Sequence, residues 1–282
     1  MATPTNDAVV VGVGGSEENL QVVRVAAREA AAHDRPLHLL HAFDWTAALK
    51  EPSVAGPRDA AEELLKRAER AAAEVAPAVP VQGEIVEGSA VEALLRAAES
   101  AYLVALGDGG MATCPTCVPS DAPAVQVAAR AGCPVLVGRA GPPPQGPVLV
   151  GVDGSEAGDT ALGYAFDCAD RREARLLAIR VIEPGRADDN GDLLAEAVSR
   201  YAAQHATVAA ECHTVRGDPG NVLVEQSRSA QLAVVAARGE EPLRGMLGAV
   251  SQTLLYHSPA PVIVVRGLGS GGVAGSGSWT AP

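Results

Sequence analysis

Short apolar runs alternate with longer, more polar stretches along the chain. Residues 8–13 and 37–42 are Val- and Leu-rich runs of strand length, typical of buried parallel strands. Residues 17–33 and 60–75 have the length of helices, and the second of these carries its charges on one face. Strands that alternate with helices predict an α/β fold, in which helices cover both faces of a parallel sheet.

The alternation continues to a fifth strand in the first half, and the second half repeats the plan. Further strands are predicted at 79–86, 102–106 and 134–137, and further helices at 89–99 and 122–131. Ser16 is the predicted N-cap of the first helix, with Asn19 as a second candidate. Ser89 and Glu92 have the spacing of a capping box.

Two segments of the first half recur in the second half in the same order. Residues 9–17 (VVVGVGGSE) return as residues 148–156 (VLVGVDGSE), and the final strand region 133–139 returns as 260–266. The repeated unit has the size of a domain, which is too long for a solenoid repeat. The sequence therefore predicts two tandem α/β domains.

Composition shifts mark the expected boundaries of these domains. Residues 140–147 (AGPPPQGP) are unsuited to a helix or a central strand and predict a semi-rigid linker. The first domain is then 1–139 and the second is 148–267. Residues 268–282 are rich in Gly and Ser and are expected to form a disordered tail.

The balance of charge argues against some classes of partner. The formal net charge is −12, and an acidic surface repels nucleic acid and anionic membranes. It leaves ATP open, because backbone N–H groups at a helix start can bind phosphate. The sequence shows neither a signal peptide nor an apolar run long enough to cross a membrane, and its five cysteines are an odd number. We expect a cytoplasmic protein.

The opening of each half resembles a known family. Residues 150–155 (VGVDGS) are similar to the first strand and turn of universal stress protein domains. ATP-binding members carry a second signature after the fourth strand, namely Gly-x-x-Gly followed later by Gly with Ser or Thr. The resemblance implies two doubly wound, five-stranded parallel sheets that are Rossmann-like and adenine nucleotide alpha hydrolase-like. It also implies a general role in stress survival and pairing of the domains through their last strands, here 134–137 and 261–264.

The two signatures are expected to meet at one site, because ligands of such sheets bind outside the carboxyl ends of the strands. Glycines there let the backbone approach phosphates, and the free N–H groups of a helix start attract anionic oxygens. In the first half, residues 107–110 (GDGG) fit the signature, but Gly14, Asp121 and Ala122 depart from it. An acid at the start of the helix repels phosphate, so the first half is predicted not to hold ATP.

The second half keeps more of the signature. Asp153 suits contact with a ribose or a metal ion, and the later glycines are present, although Ala236 replaces the first. Val181 matches the position where the backbone of the family contacts adenine. The predicted site for ATP, with Mg²⁺ if bound, comprises Asp153, Val181, Gly239, Gly248, Ala249, Val250 and Ser251. The competing interpretation is that these glycines are turn residues left from a nucleotide-binding ancestor.

Cysteine and histidine spacings leave one question open. Cys114 and Cys117 form a single Cys-x-x-Cys pair in an irregular loop, which indicates free thiols or an occasional disulfide, with a redox sensor as the alternative. His38 and His41 are three residues apart on a strand and are expected on opposite faces. No metal site is assigned from the sequence.

A tandem stress-response protein that binds or regulates is the leading hypothesis for function. No catalytic triad or nucleophile elbow is evident, so an enzyme is not expected; a weak ATP hydrolase and a protein-interaction module without nucleotide are the alternatives. The halves would form an intramolecular pseudo-dimer, and a homodimer or another protein partner stays open. We expect the residue 248 region to lie close to the turn at residue 153, and a single continuous sheet would contradict this organisation.

Overall fold

Strands and helices alternate throughout the computed structural model, which describes residues 7–43, 55–111, 122–186, 192–237 and 246–266. The strands of these residues are β1 (Val9–Gly12), β2 (Leu37–Phe43), β3 (Val81–Glu87), β4 (Leu103–Gly107), β5 (Val135–Gly138), β6 (Val148–Gly151), β7 (Leu176–Ile182), β8 (Ala210–Arg216), β9 (Leu232–Ala236) and β10 (Val262–Val265). The helices are α1 (Glu17–Ala32), α2 (Ala55–Val75), α3 (Ala90–Ala97), α4 (Pro123–Arg130), α5 (Glu156–Arg171), α6 (Leu193–Ala202), α7 (Pro219–Ser227) and α8 (Ala249–His257).

The strands form one sheet in the order β3-β2-β1-β4-β5-β10-β9-β6-β7-β8. All pairs within a half are parallel, whereas β5 and β10 pair antiparallel, with Leu136 opposite Ile263. The tandem α/β fold predicted from the repeated pattern is confirmed, and the last strands pair as expected. The expectation that the halves would not share a continuous sheet is wrong, because edge-to-edge pairing of the last strands joins their hydrogen-bond ladders.

Both faces of the sheet are covered by helices, as its apolar strands require. Helices α1, α2, α5 and α6 pack on one face and form a core that runs through both halves. Helices α3, α4, α7 and α8 cover the other face. The first three residues of β1 and of β6 are buried, which explains why these strands are nearly continuous Val and Leu runs. Within the described helices, none combines the length and apolar character needed to cross a bilayer.

The serine caps behave differently in the two positions for which they were predicted. Ser16 caps α1 by accepting a hydrogen bond from the Asn19 N–H at 3.3 Å, and Ser155 caps α5 in the same way from the Gly158 N–H at 3.0 Å. Ser89 stands at the N-cap of α3, but its side chain makes no capping hydrogen bond. The capping box predicted there is therefore wrong. Asn19 lies inside α1, so it is not the cap.

Candidate functional site

A cleft of about 360 Å³ opens at the carboxyl ends of the second-half strands. The ends of β6, β7 and β9 line it, together with the start of α8. Asp153, Val181, Gly248, Ala249, Val250 and Ser251, all predicted as site residues, line this cleft. Gly239, the remaining one, lies outside the described residues. The expected proximity of the turn at Asp153 to the residue 248 region is present.

The turn after β6 fixes the carboxylate of Asp153. Its Oδ1 accepts a hydrogen bond from the Ser155 hydroxyl at 2.6 Å and another from the Ser155 N–H at 3.0 Å. The residue itself is exposed at the edge of the cleft. Gly154 adopts a φ of 86°, a left-handed conformation that suits glycine. The turn therefore presents a negatively charged group in a defined position beside the cleft.

Gly158 leaves the space that this carboxylate occupies. A Cβ at Gly158 would lie 2.4 Å from Asp153 Oδ1 and 3.4 Å from Asp153 N. A glycine inside a helix costs about 1 kcal/mol relative to alanine, so its presence in the first turns of α5 needs a reason. The close approach of Asp153 supplies that reason.

The start of α8 offers backbone donors to the cleft. Gly248 occupies the N-cap position with extended backbone, and it has no side chain to cap the first turn. Its own N–H donates to the Ala237 carbonyl at 2.8 Å, which anchors the helix start to the end of β9. The first N–H groups of a helix have no partner within the helix, and they carry the positive end of its dipole. Ala249 and Val250 thus bring a helix N-terminus to the cleft wall.

Ser251 also lines the cleft, but its hydroxyl is used in a contact within the fold. The hydroxyl donates to the Ala236 carbonyl at 2.6 Å, and the residue is buried. Its side chain therefore fastens α8 to β9. The N–H of Ser251 belongs to the first turn of α8 and lies on the same wall as those of its two predecessors.

The remaining walls combine an apolar floor with a charged rim. Ile179 and Leu223 are buried apolar side chains of the lining. Val181 lies one residue before the end of β7, next to Val215 of β8 in register. At the rim, Arg186 Nη1 stands 3.9 Å from Glu183 Oε2, and both side chains are mainly exposed. An apolar floor with a few polar groups at one end is typical of small-ligand sites.

The corresponding turn of the first half is closed by its own helix. Gly14 stands where the second half has Asp153, and its N–H donates to Asn19 Oδ1 at 2.9 Å. Asn19 occupies the position equivalent to Gly158 when the halves are aligned on Ser16 and Ser155. A Cβ at Gly14 would lie 3.0 Å from Asn19 Nδ2, so the amide fills the space beside the turn.

In the glycine-rich loop of the first half, the acidic side chain is buried and paired within the protein. Asp108 is buried, and its Oδ2 accepts a hydrogen bond from Arg139 Nη1 at 3.0 Å. Gly109 and Gly110 have φ values of 65° and 82°, which bend the loop back so that the Gly110 N–H donates to Asp108 Oδ1. Helix α4 then begins with Pro123, which has no N–H to offer an anion.

Arg139 connects this loop to the helix of the second-half cleft. Its guanidinium donates to the carbonyls of Leu254, Leu255 and Ala260 at 2.9–3.2 Å. The Leu254 and Leu255 carbonyls lie near the C-terminal end of α8, where the Leu254 carbonyl also accepts from the Ser258 N–H, and the Ala260 carbonyl follows the helix. Burial lowers the pKa of the Arg139 guanidinium, and Asp108 opposes that effect. The first half thus supports the far end of the helix whose start faces the cleft.

Several residues considered from the sequence lie elsewhere. Asp121, Cys114 and Cys117 fall outside the described residues. His38 Nε2 lies 3.2 Å from Glu84, and His41 Nδ1 lies 2.8 Å from the Val13 carbonyl. Both histidines therefore have structural partners within the first half.

Sequence reasoning missed two features that shape the cleft. The Arg139 contact joins residues far apart in the chain, so no local pattern could indicate it. The role of Gly158 did have a signal, because aligning the halves shows Gly14 and Asn19 replaced by Asp153 and Gly158. A paired exchange of this kind is expected of side chains that touch.

Comparisons with known proteins agree with this architecture. The model of the universal stress protein family matches residues 5–139 and 146–266. A universal stress protein of Mycolicibacterium smegmatis is 32% identical over 93% of this chain and 98% of its own length. One from Mycobacterium tuberculosis is 32% identical over 92% of this chain and 96% of its own. The crystal structure of a universal stress protein from Archaeoglobus fulgidus has the same fold, with a TM-score of 0.70 at 18% identity, covering 93% of this chain and 97% of that one.

Proposed function

The chain belongs to the universal stress protein family as a tandem member, and we propose that its second half binds an adenine nucleotide, with Mg²⁺. In this proposal the protein acts as a stress-response binding or regulatory protein, and catalysis is not its role. One observation carries the proposal: the Asp153 turn and the uncapped start of α8 converge on one cleft. A carboxylate opposite a cluster of backbone N–H groups suits a nucleotide, because the carboxylate can bind the ribose and the N–H groups can bind the phosphates.

The phosphates would bind at the start of α8. Backbone N–H groups and the helix dipole attract anionic oxygens there, and Gly248 has no side chain to obstruct them. Arg186 stands at the rim, where a flexible, exposed cation adds to the attraction. These groups explain how a protein of net charge −12 can hold a polyanion at one point of its surface.

The sugar and base would extend across the cleft from the phosphates. The Asp153 carboxylate is placed to accept hydrogen bonds from ribose hydroxyls or to contact Mg²⁺. The base would lie against the apolar floor around Leu223 and Ile179, with the backbone at Val181 as a hydrogen-bonding edge. The cleft volume of about 360 Å³ lies within the range usual for small-molecule sites.

Equilibrium dialysis of the full chain with labelled ATP, with and without Mg²⁺, tests the proposal. We expect saturable binding of one nucleotide per chain, weakened roughly tenfold or more by Asp153→Asn, since a charge-assisted contact is lost. Asp218→Asn is the matched control, because Asp218 caps α7 in the same half and does not line the cleft. Its binding should stay unchanged.

Two other outcomes would point to the alternative functions. Absence of binding at millimolar nucleotide would contradict the proposal and favour a protein-interaction module. Phosphate released steadily by the wild-type chain and lost in Asp153→Asn would instead identify a hydrolase. The same samples serve both measurements.

A further inference from the structure

Three metal-binding side chains are buried together where the two halves meet. Glu29 and His33 are one helical turn apart at the end of α1, and Cys168 belongs to α5 of the other half. A carboxylate oxygen, an imidazole nitrogen and the thiol sulfur all lie within 4.8 Å of one another. The cluster therefore exists only when the halves are paired.

The cluster contains a buried carboxylate oxygen with no hydrogen-bond partner. Glu29 pairs with the Arg172 guanidinium through Oε1, while Oε2 makes no hydrogen bond. Oε2 faces His33 Nε2 at 3.7 Å. Buried polar atoms in folded proteins are nearly always hydrogen-bonded, so an orphan of this kind needs an explanation.

A second orphan lies in the same neighbourhood. The hydroxyl of Tyr164 is buried without a hydrogen-bond partner. Tyr164 lies one helical turn before Cys168 on α5. Arg172 Nε is also buried without a partner, but Glu29 Oε2 is the unsatisfied atom that lies with the thiol and the imidazole, as the ligand atom of a cation site would.

The imidazole is already oriented as a metal ligand requires. His33 Nδ1 lies 2.9 Å from the Tyr102 hydroxyl and 3.6 Å from Asp167 Oδ2. Histidines that bind metals commonly fix one ring nitrogen in this way through a hydroxyl, carbonyl or carboxylate. The other nitrogen, Nε2, is then presented to Glu29.

We propose that Glu29, His33 and Cys168 bind Zn²⁺ at the junction of the two halves. Carboxylate, imidazole and thiolate are the donors that zinc takes in proteins. Zinc bonds of about 2.0–2.2 Å to oxygen and nitrogen place two tetrahedral ligand atoms of these kinds about 3.3–3.5 Å apart. Glu29 Oε2 and His33 Nε2 are 3.7 Å apart, so a small side-chain shift brings them to that separation. Tyr164 or a water molecule would fill the fourth position.

The charged groups around the cluster affect zinc binding in opposite directions. Zinc would take Cys168 as the thiolate, so binding to the thiol releases one proton to solvent. Arg172 and Arg171 oppose a further cation, while Asp167 and Glu29 favour it. The alternative is a metal-free cluster in which Glu29 is held by its ion pair with Arg172.

Cobalt substitution distinguishes these two states. The background variant is the full chain with Cys114, Cys117 and Cys212 changed to serine, which removes the Cys-x-x-Cys pair and the exposed thiol. Titration with Co²⁺ should give thiolate-to-cobalt absorption that saturates at one ion per chain, and Zn²⁺ should displace it. Zn²⁺ should also raise the thermal midpoint, since an ion that binds only the folded state stabilises it.

Two buried cysteines provide the matched comparison. Cys168→Ala in the background variant should abolish the cobalt absorption, whereas Cys133→Ala should retain it, because Cys133 is buried outside the cluster. If Cys168→Ala does not fold by circular dichroism, His33→Gln serves instead and should weaken Co²⁺ binding roughly tenfold or more. Lack of cobalt absorption in the background variant, or its persistence in Cys168→Ala, would overturn the proposal and leave the metal-free ion pair.

Discussion

The turn after the first strand is built in opposite ways in the two halves. In the second half, Asp153 lines the cleft and Gly158 leaves room for its carboxylate. In the first half, Gly14 has no side chain, and Asn19 fills the space from the helix side. The side chain that fills this space comes from the turn in the second half (Asp153) and from the helix in the first half (Asn19). Each turn is well packed, but only the second presents an acid to a ligand.

The loops after the fourth strand also differ between the halves in what they present to a ligand. In the first half, Asp108 points inward to Arg139, and α4 begins with Pro123. In the second half, Gly248 leaves the start of α8 uncapped at the cleft. Arg139 also supports the far end of α8. The comparison teaches that the first half lacks the acidic turn and open helix start found at the second-half cleft, and that it contacts the far end of α8 instead.

Removal of Arg139 gives the largest expected effect, because this first-half side chain contacts the second half of the protein. Arg139→Met leaves Asp108 buried without its cation and removes the guanidinium hydrogen bonds to the carbonyls of Leu254 and Leu255. Loss of one partner of a buried pair costs about 3–5 kcal/mol. Urea unfolding should show this loss of stability, and nucleotide affinity should fall with it because α8 loses its support.

A double variant separates the charge from the helix contact. Asp108→Leu combined with Arg139→Met removes both charges, and replacement of a buried pair by apolar groups is often close to neutral. We expect most of the stability to return, although the carbonyls at the C-terminal end of α8 still lack their hydrogen bonds from residue 139. Arg228→Met, which removes an exposed pair with Glu225, should change stability by about 1 kcal/mol or less. A similarly small change in Arg139→Met would show that the first half does not support α8.

Exchange of the turn residues gives the next largest effect. Gly158→Asn places the first-half residue against Asp153, whose Oδ1 would lie 2.4 Å from the new Cβ. We expect a loss of about 1–3 kcal/mol in stability from overpacking, measured by thermal unfolding. Nucleotide binding should weaken roughly tenfold or more, because the carboxylate is displaced.

The double variant Asp153→Gly with Gly158→Asn rebuilds the first-half turn in the second half. Its stability should recover towards wild type, since the Asn side chain then fills the space that the carboxylate vacates. Nucleotide binding should not recover. Independent, additive effects of the two substitutions on stability would show that the paired exchange has no packing basis.

The fold was predictable because its signals are local and occur twice. Apolar runs such as 148–151 and serine caps such as Ser155 depend on neighbours in the chain, and both halves repeat them. The pairing of the last strands followed from the resemblance to the family, and the structure adds its register, with Leu136 opposite Ile263. The same pairing makes the sheet continuous across both halves, and local sequence patterns do not show this continuity.

The site was predictable only in part, because some of its contacts join distant residues. The cleft residues around Gly248 followed from a family signature read one position at a time. Packing complements such as Asp153 with Gly158 need the two halves to be compared. The Glu29 and Cys168 cluster needs the pairing geometry of both halves, so histidine spacing along the chain could not reveal it.

Gly248→Asp sharpens the comparison with the smallest expected change in stability. The substitution gives α8 an acidic N-cap, the feature predicted at the equivalent first-half position, Asp121. An aspartate cap improves on glycine by a few tenths of a kcal/mol, so the thermal midpoint should rise slightly or stay level. ATP binding should nevertheless weaken about fivefold or more, because a carboxylate about 4 Å from a phosphate costs at least about 1 kcal/mol. Gly248→Asn, measured by the same dialysis, adds the same bulk without charge and should lose less affinity. Equal losses in both variants would mean that the open backbone at the start of α8, and not its freedom from negative charge, distinguishes the second half from the first.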